Sequence, residues 1–146
     1  MERKALEVFQ RYLRLATGKP SFDQMYLKHF DYVKVSPQGN LFFSLQVSQE
    51  ICDYNGFLHA GALTTVLDAA TGMSLWMKLE EAKLMLAATL NVNFIGNPKI
   101  GDKVIIESKC NGICQNIGHT YAEALLNGAI IGTASNNICI FNRVIP

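Results

Sequence analysis

The chain has 146 residues, the size of one ordinary domain with room for one core. Its 13 basic and 12 acidic residues leave a net charge of +1, which excludes the strong field that gathers nucleic acid or an anionic membrane surface. Four cysteines, Cys52, Cys110, Cys114 and Cys139, lack the paired spacing of a zinc site, so no metal is expected and reduced, intracellular thiols are the default.

The chain opens on "MERKALEVFQRYLRLA", charged throughout and without the apolar core of a secretory signal. A cytoplasmic location is expected. Mitochondrial import is the alternative, because Arg3, Lys4, Arg11 and Arg14 follow a helical pattern, although Glu2 and Glu7 break the acid-poor rule. Leu6, Phe9, Leu13 and Ala16 recur at helical intervals, which predicts an amphipathic helix over 2–16 ended by Gly18 and Pro20. Ser21 with Gln24 three residues later reads as a capping box opening a short second helix to Lys28.

The run "YVKVSPQGNLFFSLQV" reads as a hairpin about a Pro-Gln-Gly-Asn turn. A long apolar helix follows, and after it come strands. "LAATLNVNFIG" alternates Leu86, Ala88, Leu90, Val92 and Phe94 against Thr89, Asn91 and Asn93, and "DKVIIESKC" sets Val104, Ile106 and Ser108 opposite Lys103, Glu107 and Lys109. Asn127-Gly128 between two apolar runs is a second hairpin signal. Strands grouped after one central helix and joined by hairpins predict an α+β fold with an antiparallel sheet and the helix on one face. Residues 1–146 read as a single domain, with 1–28 as an N-terminal helical segment.

From Phe57 to Met77 the one formally charged residue is Asp68. Gly61, Thr64, Thr65, Thr71, Gly72 and Ser74, together with the acid itself, argue against a membrane span. A buried helix makes Asp68 costly, since a carboxylate removed from water needs partners or rises in pKa. That is the condition of a general base or nucleophile, and equally of an acid held in a structural hydrogen-bond network. At the helix start, "NGFLHAG" brings unpaired backbone N–H groups and the positive end of the macrodipole to one place, which suits a polarised carbonyl. His59 lies nine residues before Asp68, and at about 100° per residue the two face opposite ways. A site using both is therefore expected to form across two subunits, with His59 orienting the turn.

The pattern G-x-x-H-x-G running into an apolar helix with Asp nine residues after the His, followed by "LNVNFIGNPKIGD", resembles the hotdog-fold thioesterases. The nearest type is the PaaI-like branch that includes the animal acyl-CoA thioesterase 13 group, and the resemblance covers about residues 28–142. It implies an antiparallel sheet wrapped around the long helix, a homodimer through paired sheets, and dimers pairing again into a homotetramer. The implied activity is hydrolysis of an acyl-CoA thioester, with coenzyme A as part of the substrate and no separate cofactor. A non-catalytic acyl-CoA- or lipid-binding protein and a hotdog dehydratase are the alternatives.

By position, Asp68 matches the family's catalytic acid, Gly56 and His59 match the motif, and Ala60 and Gly61 fall on the glycines whose amides polarise the carbonyl. Two departures imply a weakened activity or an unusual substrate. The family's water-positioning Asn is Asp53 here, with Asn55 two places on, and the family's Ser or Thr is Ala87, with Thr89 the nearby hydroxyl expected on the same strand face. For the coenzyme A phosphates the resemblance implies Lys99, Lys103 and His119.

Overall fold

The computed structural model describes residues 1–145. Helix α1 (Glu2–Thr17) buries Ala5, Val8, Phe9 and Ala16, the spacing that puts one stripe against a core. That stripe is rotated from the expected one, since Leu6 is exposed. Helix α2 is only Gln24–Leu27, and the predicted capping box does not form. Ser21 Oγ donates to the Ala16 carbonyl at 2.6 Å and Gln24 Nε2 to the Lys19 carbonyl at 3.0 Å. The Ala16 carbonyl at the end of α1 and the Lys19 carbonyl just beyond it capture the two side chains, so the pair ties α2 back to the end of α1 instead of capping it.

Strands β1 (Phe30–Val35) and β2 (Leu41–Gln46) form the predicted hairpin, and a 3-10 turn at Gln49–Ile51 leads to the central helix α3 (Ala60–Trp76). Strands β3 (Lys83–Phe94), β4 (Lys103–Cys114), β5 (Ile117–Leu126) and β6 (Ala129–Val144) follow. All six join one antiparallel sheet in the order β1-β2-β4-β5-β6-β3, as the α+β reading requires. The β5–β6 hairpin turns at Asn127 and Gly128, with φ of 51° and 82°; the left-handed backbone explains why Asn-Gly stands there.

One face of this sheet wraps α3. Val66, Leu67, Ala70 and Met73 of the helix share one buried core with Val104, Ile106, Ala122, Ala124 and Ala134 of the strands. The approach is close at Gly118, where an added Cβ would lie 2.5 Å from the Leu75 side chain. Helix α1 and α2 cover the β1–β2 end through an aromatic cluster of Phe9, Tyr26, Phe30 and Phe43. Among the described residues no helix is long and apolar enough to cross a membrane.

Strand β3 departs from simple alternation. Its pairing with β6 shifts between Ala87, opposite Ile138, and Thr89, opposite Asn137, so Ala88 is an extra residue. A bulge of this kind reverses which side chains face the helix. Met85 and Ala87 face α3 before it, Leu90 and Val92 pack on the core after it, and Leu86 is 57% exposed. The expectation of one apolar face from Leu86 to Phe94 is corrected accordingly.

Candidate active site

Asp68 sits mid-way along α3, half-buried, at the side of a cleft of about 170 Å³. The walls come from Tyr12 of α1, Met73 and Trp76 of α3, and Met85 and Ala87 of β3. Asn136 Nδ2, from β6, donates to Asp68 Oδ1 at 2.8 Å and to Thr71 Oγ1 at 3.1 Å. The Thr71 hydroxyl spends its own proton on the Asp68 carbonyl at 2.8 Å, so it can only accept from Asn136, and this fixes which end of the amide faces the acid. Burial raises the Asp68 pKa above the ordinary aspartate value; the Asn136 amide opposes the rise and the charge of Asp23 adds to it. The result is a carboxylate short of water, supplied with one donor, and open to an apolar cleft.

The turn before α3 is held by its own residues. Asp53 Oδ1 accepts from the amides of Asn55 at 2.8 Å and Phe57 at 3.1 Å, and the Asp53 amide donates to the Phe57 carbonyl at 2.7 Å. Asp53 is therefore the residue that closes the turn, a task its side-chain oxygen performs as an acceptor. Gly56 turns at φ 82°, where a side chain would be strained. Leu58 N donates to the Pro98 carbonyl at 2.7 Å and Ile100 N to the Gly56 carbonyl at 3.1 Å, which pins the turn to the loop after β3.

His59 is the N-cap of α3, and its Nδ1 accepts from the Gly61 amide at 2.9 Å. The neutral ring then carries its proton on Nε2. The orienting role expected of His59 matches this geometry, but the expectation of two free amides changes. Gly61 N–H is committed to His59, whereas among the described residues the Ala60 N–H has no acceptor. Gly61 has its own reason to be glycine: an added Cβ would stand 3.0 Å from His59 Nδ1. Within one chain the turn and Asp68 are separated by about 13 Å of helix rise and half a rotation.

The remaining expected residues do not converge in one chain. Thr89 Oγ1 accepts from Asn137 Nδ2 at 2.9 Å, and Asn137 Oδ1 also meets His119 Nδ1 at 2.7 Å. Asn136 and Asn137 are neighbours on a strand and point to opposite faces. Thr89 and His119 thus lie on the face turned away from Asp68, and the bulge at Ala88 is why Thr89 does not share the Ala87 face. Lys99 lies beside the turn, paired with Phe57 in an isolated bridge. Lys103 opens β4, while His119 pairs with Gly112 near its far end, about 30 Å away along the strand.

Residues 55–135, more than half the chain, match the sequence pattern of the Thioesterase superfamily. The chain belongs to that superfamily. Among solved structures, the PaaI protein of Escherichia coli superposes with a TM-score of 0.81 at 11% identity, covering 99% of each chain. Mouse thioesterase superfamily member 2 gives 0.78 at 18% identity, over 96% of this chain and 98% of its own. A Streptococcus pneumoniae thioesterase crystallised with coenzyme A gives 0.71 at 15% identity, over 82% and 94%. These likenesses establish the hotdog fold.

Two residues of this superfamily member's cleft escape a reading of the sequence. Asn136 is 1% exposed, and its only signal is a polar pair, "NN", inside the apolar run of the last strand. Tyr12 reads as one more position on an amphipathic helix. Its role depends on how α1 crosses α3, which no local pattern encodes.

Proposed function

We propose that the protein hydrolyses acyl-CoA thioesters, with Asp68 as general base or nucleophile. The observation that carries this reading is a half-buried carboxylate, its pKa raised by burial, hydrogen-bonded to Asn136 and facing an apolar cleft. Such a group is both basic enough to take a proton and poorly enough solvated to be reactive.

In the proposed reaction the thioester carbonyl accepts a hydrogen bond from the Ala60 amide of one subunit, at the positive end of α3. Asp68 of the second subunit removes a proton from water as the water oxygen attacks the carbonyl carbon. The C–S bond then breaks, and the coenzyme A sulfur leaves as the thiol after taking up that proton. As a nucleophile, Asp68 instead attacks the carbonyl carbon, the C–S bond breaks to expel the coenzyme A thiolate, and water opens the resulting acyl anhydride, giving up the proton that the thiolate takes. Lys99, exposed beside the turn, and Lys103, exposed at the start of β4, would face the phosphates, and His119 would serve only from a different subunit.

The two-subunit arrangement is supported by the sheet edge. Strand β3 is a 12-residue edge strand, and Leu86, Phe94 and Ile95 on and beside it are 57%, 50% and 64% exposed. A long apolar edge left open invites pairing with another strand. We infer a homodimer built on β3, and pairing of dimers into a tetramer is part of the same proposal.

One observation favours a second reading, a binder of acyl-CoA without turnover. Ala87 faces the Asp68 cleft and offers no hydroxyl to hold a water. Thiol release from a panel of acyl-CoAs, measured for the wild type and for Asp68→Asn, separates the two. Hydrolysis that falls by about 100-fold or more in the variant supports the enzyme; saturable binding with no turnover supports the binder.

A further inference from the structure

The cleft beside Asp68 contains a glycine that packing does not explain. Gly72 stands one turn after Asp68 on the same face of α3, and it lines the cleft. A Cβ added there would meet nothing within 4 Å. Glycine is the poorest helix former apart from proline, so a mid-helix glycine with free space around its missing side chain is a cost without a structural return. The space it leaves is continuous with the site of the acid.

Two aromatic walls of the cleft, Tyr12 of α1 and Trp76 one turn beyond Gly72 on α3, are tied down. The Tyr12 hydroxyl bonds that of Tyr26, which in turn donates to Asp23 Oδ1 at 3.0 Å, and Tyr26 is 1% exposed. Trp76 Nε1 donates to the Lys83 carbonyl at 3.1 Å. Neither ring can swing away without breaking these bonds, so the volume they bound is a fixed one. At about 170 Å³ it is close to the roughly 150 Å³ of an apolar cavity that accepts one benzene molecule.

We infer that Gly72 and Tyr12 together set the acyl specificity of the site: Gly72 leaves the slot beside Asp68, Tyr12 closes its far end, and the slot takes a compact acyl group of about six carbons, straight or aromatic. The inference rests on the proposal that acyl-CoA binds here. Helix α1, which contributes nothing to the proposed chemistry, thereby becomes part of substrate selection.

The test is the affinity of non-hydrolysable thioether analogues of acyl-CoA, graded from acetyl to palmitoyl, measured by calorimetry relative to free coenzyme A. The wild type is expected to bind the hexanoyl analogue best. Gly72→Leu, a change toward a better helix former, fills the slot and lowers the hexanoyl preference by about tenfold or more. Tyr12→Ala moves the optimum toward longer chains, with folding checked by circular dichroism. A length profile that neither substitution moves, or no binding of any analogue, overturns the inference. Because binding is read without turnover, a length-dependent binder that hydrolyses nothing sinks the thioesterase reading and leaves the specificity assignment standing; hydrolysis with an unmoved length profile does the reverse.

Discussion

Asn136 of the last strand donates its side-chain amide to Asp68 of the central helix at 2.8 Å, and this bond ties the sheet to the helix at its buried acid. The amide favours the ionised carboxylate, while burial, the larger influence, favours the protonated one. The acid is thus held ionisable but not relaxed. In many sites a water ligand shares that duty, whereas here the neighbouring position on β3 is Ala87, and the sheet supplies the donor from the other strand.

Replacing Asn136 by Ala removes the group that lowers the Asp68 pKa, so the acid limb of the kcat/KM profile moves to higher pH. Below that midpoint the base is protonated and idle, and the variant loses most activity on the acid side. The side chain is buried and makes two hydrogen bonds, so its loss also costs about 1–3 kcal/mol of stability. A pH–rate profile with an unmoved acid limb would show that Asn136 is structural alone.

Asp68→Asn is expected to abolish turnover and to stabilise the fold at neutral pH. The sign follows from the raised pKa. The native state binds a proton more tightly than the unfolded chain, so Asp68 contributes stability below about pH 3.9, its unfolded pKa, and loses that contribution as pH rises through the folded value. Urea unfolding across pH should show the variant's advantage at neutral pH narrowing toward zero in acid.

Asp53→Ala removes the oxygen that accepts two amides of the turn and should cost about 1–2 kcal/mol, with kcat falling because the turn positions the proposed carbonyl donor. Asp53→Asn keeps the acceptor and should stay near wild type in stability. Equal damage from both substitutions would point to the charge itself and not the turn.

Gly61→Ala places a Cβ 3.0 Å from His59 Nδ1 and should push the ring off the helix cap. The loss is expected to equal that of His59→Ala, about 1 kcal/mol, and the double substitution should add little, since the two disrupt one contact. Additive effects in chemical denaturation would refute the shared cap.

The α+β sheet, the wrapped helix and the turn at Asn127-Gly128 were legible in the sequence because each rests on a local pattern: a period, a turn dipeptide, an uncharged run. The β3 face was misread because one extra residue, Ala88, reverses the alternation, and alanine carries no mark of a bulge. Ser21 and Gln24 have the form of a capping box, yet carbonyls at and just past the end of α1 take both side chains. Asn136 and Tyr12 reach Asp68 from strand and helix remote in sequence, so their part in the cleft follows only from tertiary packing. Lys103 and His119 were grouped by chemistry; the strand between them sets them apart.

The central claim is that Asp68 of one subunit acts on a carbonyl held by the Ala60 amide of another, and subunit complementation tests it most directly. Ala60→Pro deletes that N–H at the first helical position, where proline is tolerated, and His59 already has the extended backbone, φ −63° and ψ 132°, that precedes a proline. Asp68→Asn and Ala60→Pro proteins should each be inactive alone. Unfolded together in equal amounts and refolded, half of the dimers are mixed and each mixed dimer holds one intact site of two, so hydrolysis should return to about a quarter of the wild-type rate. A refolded mixture that stays as inactive as its parents would contradict the account.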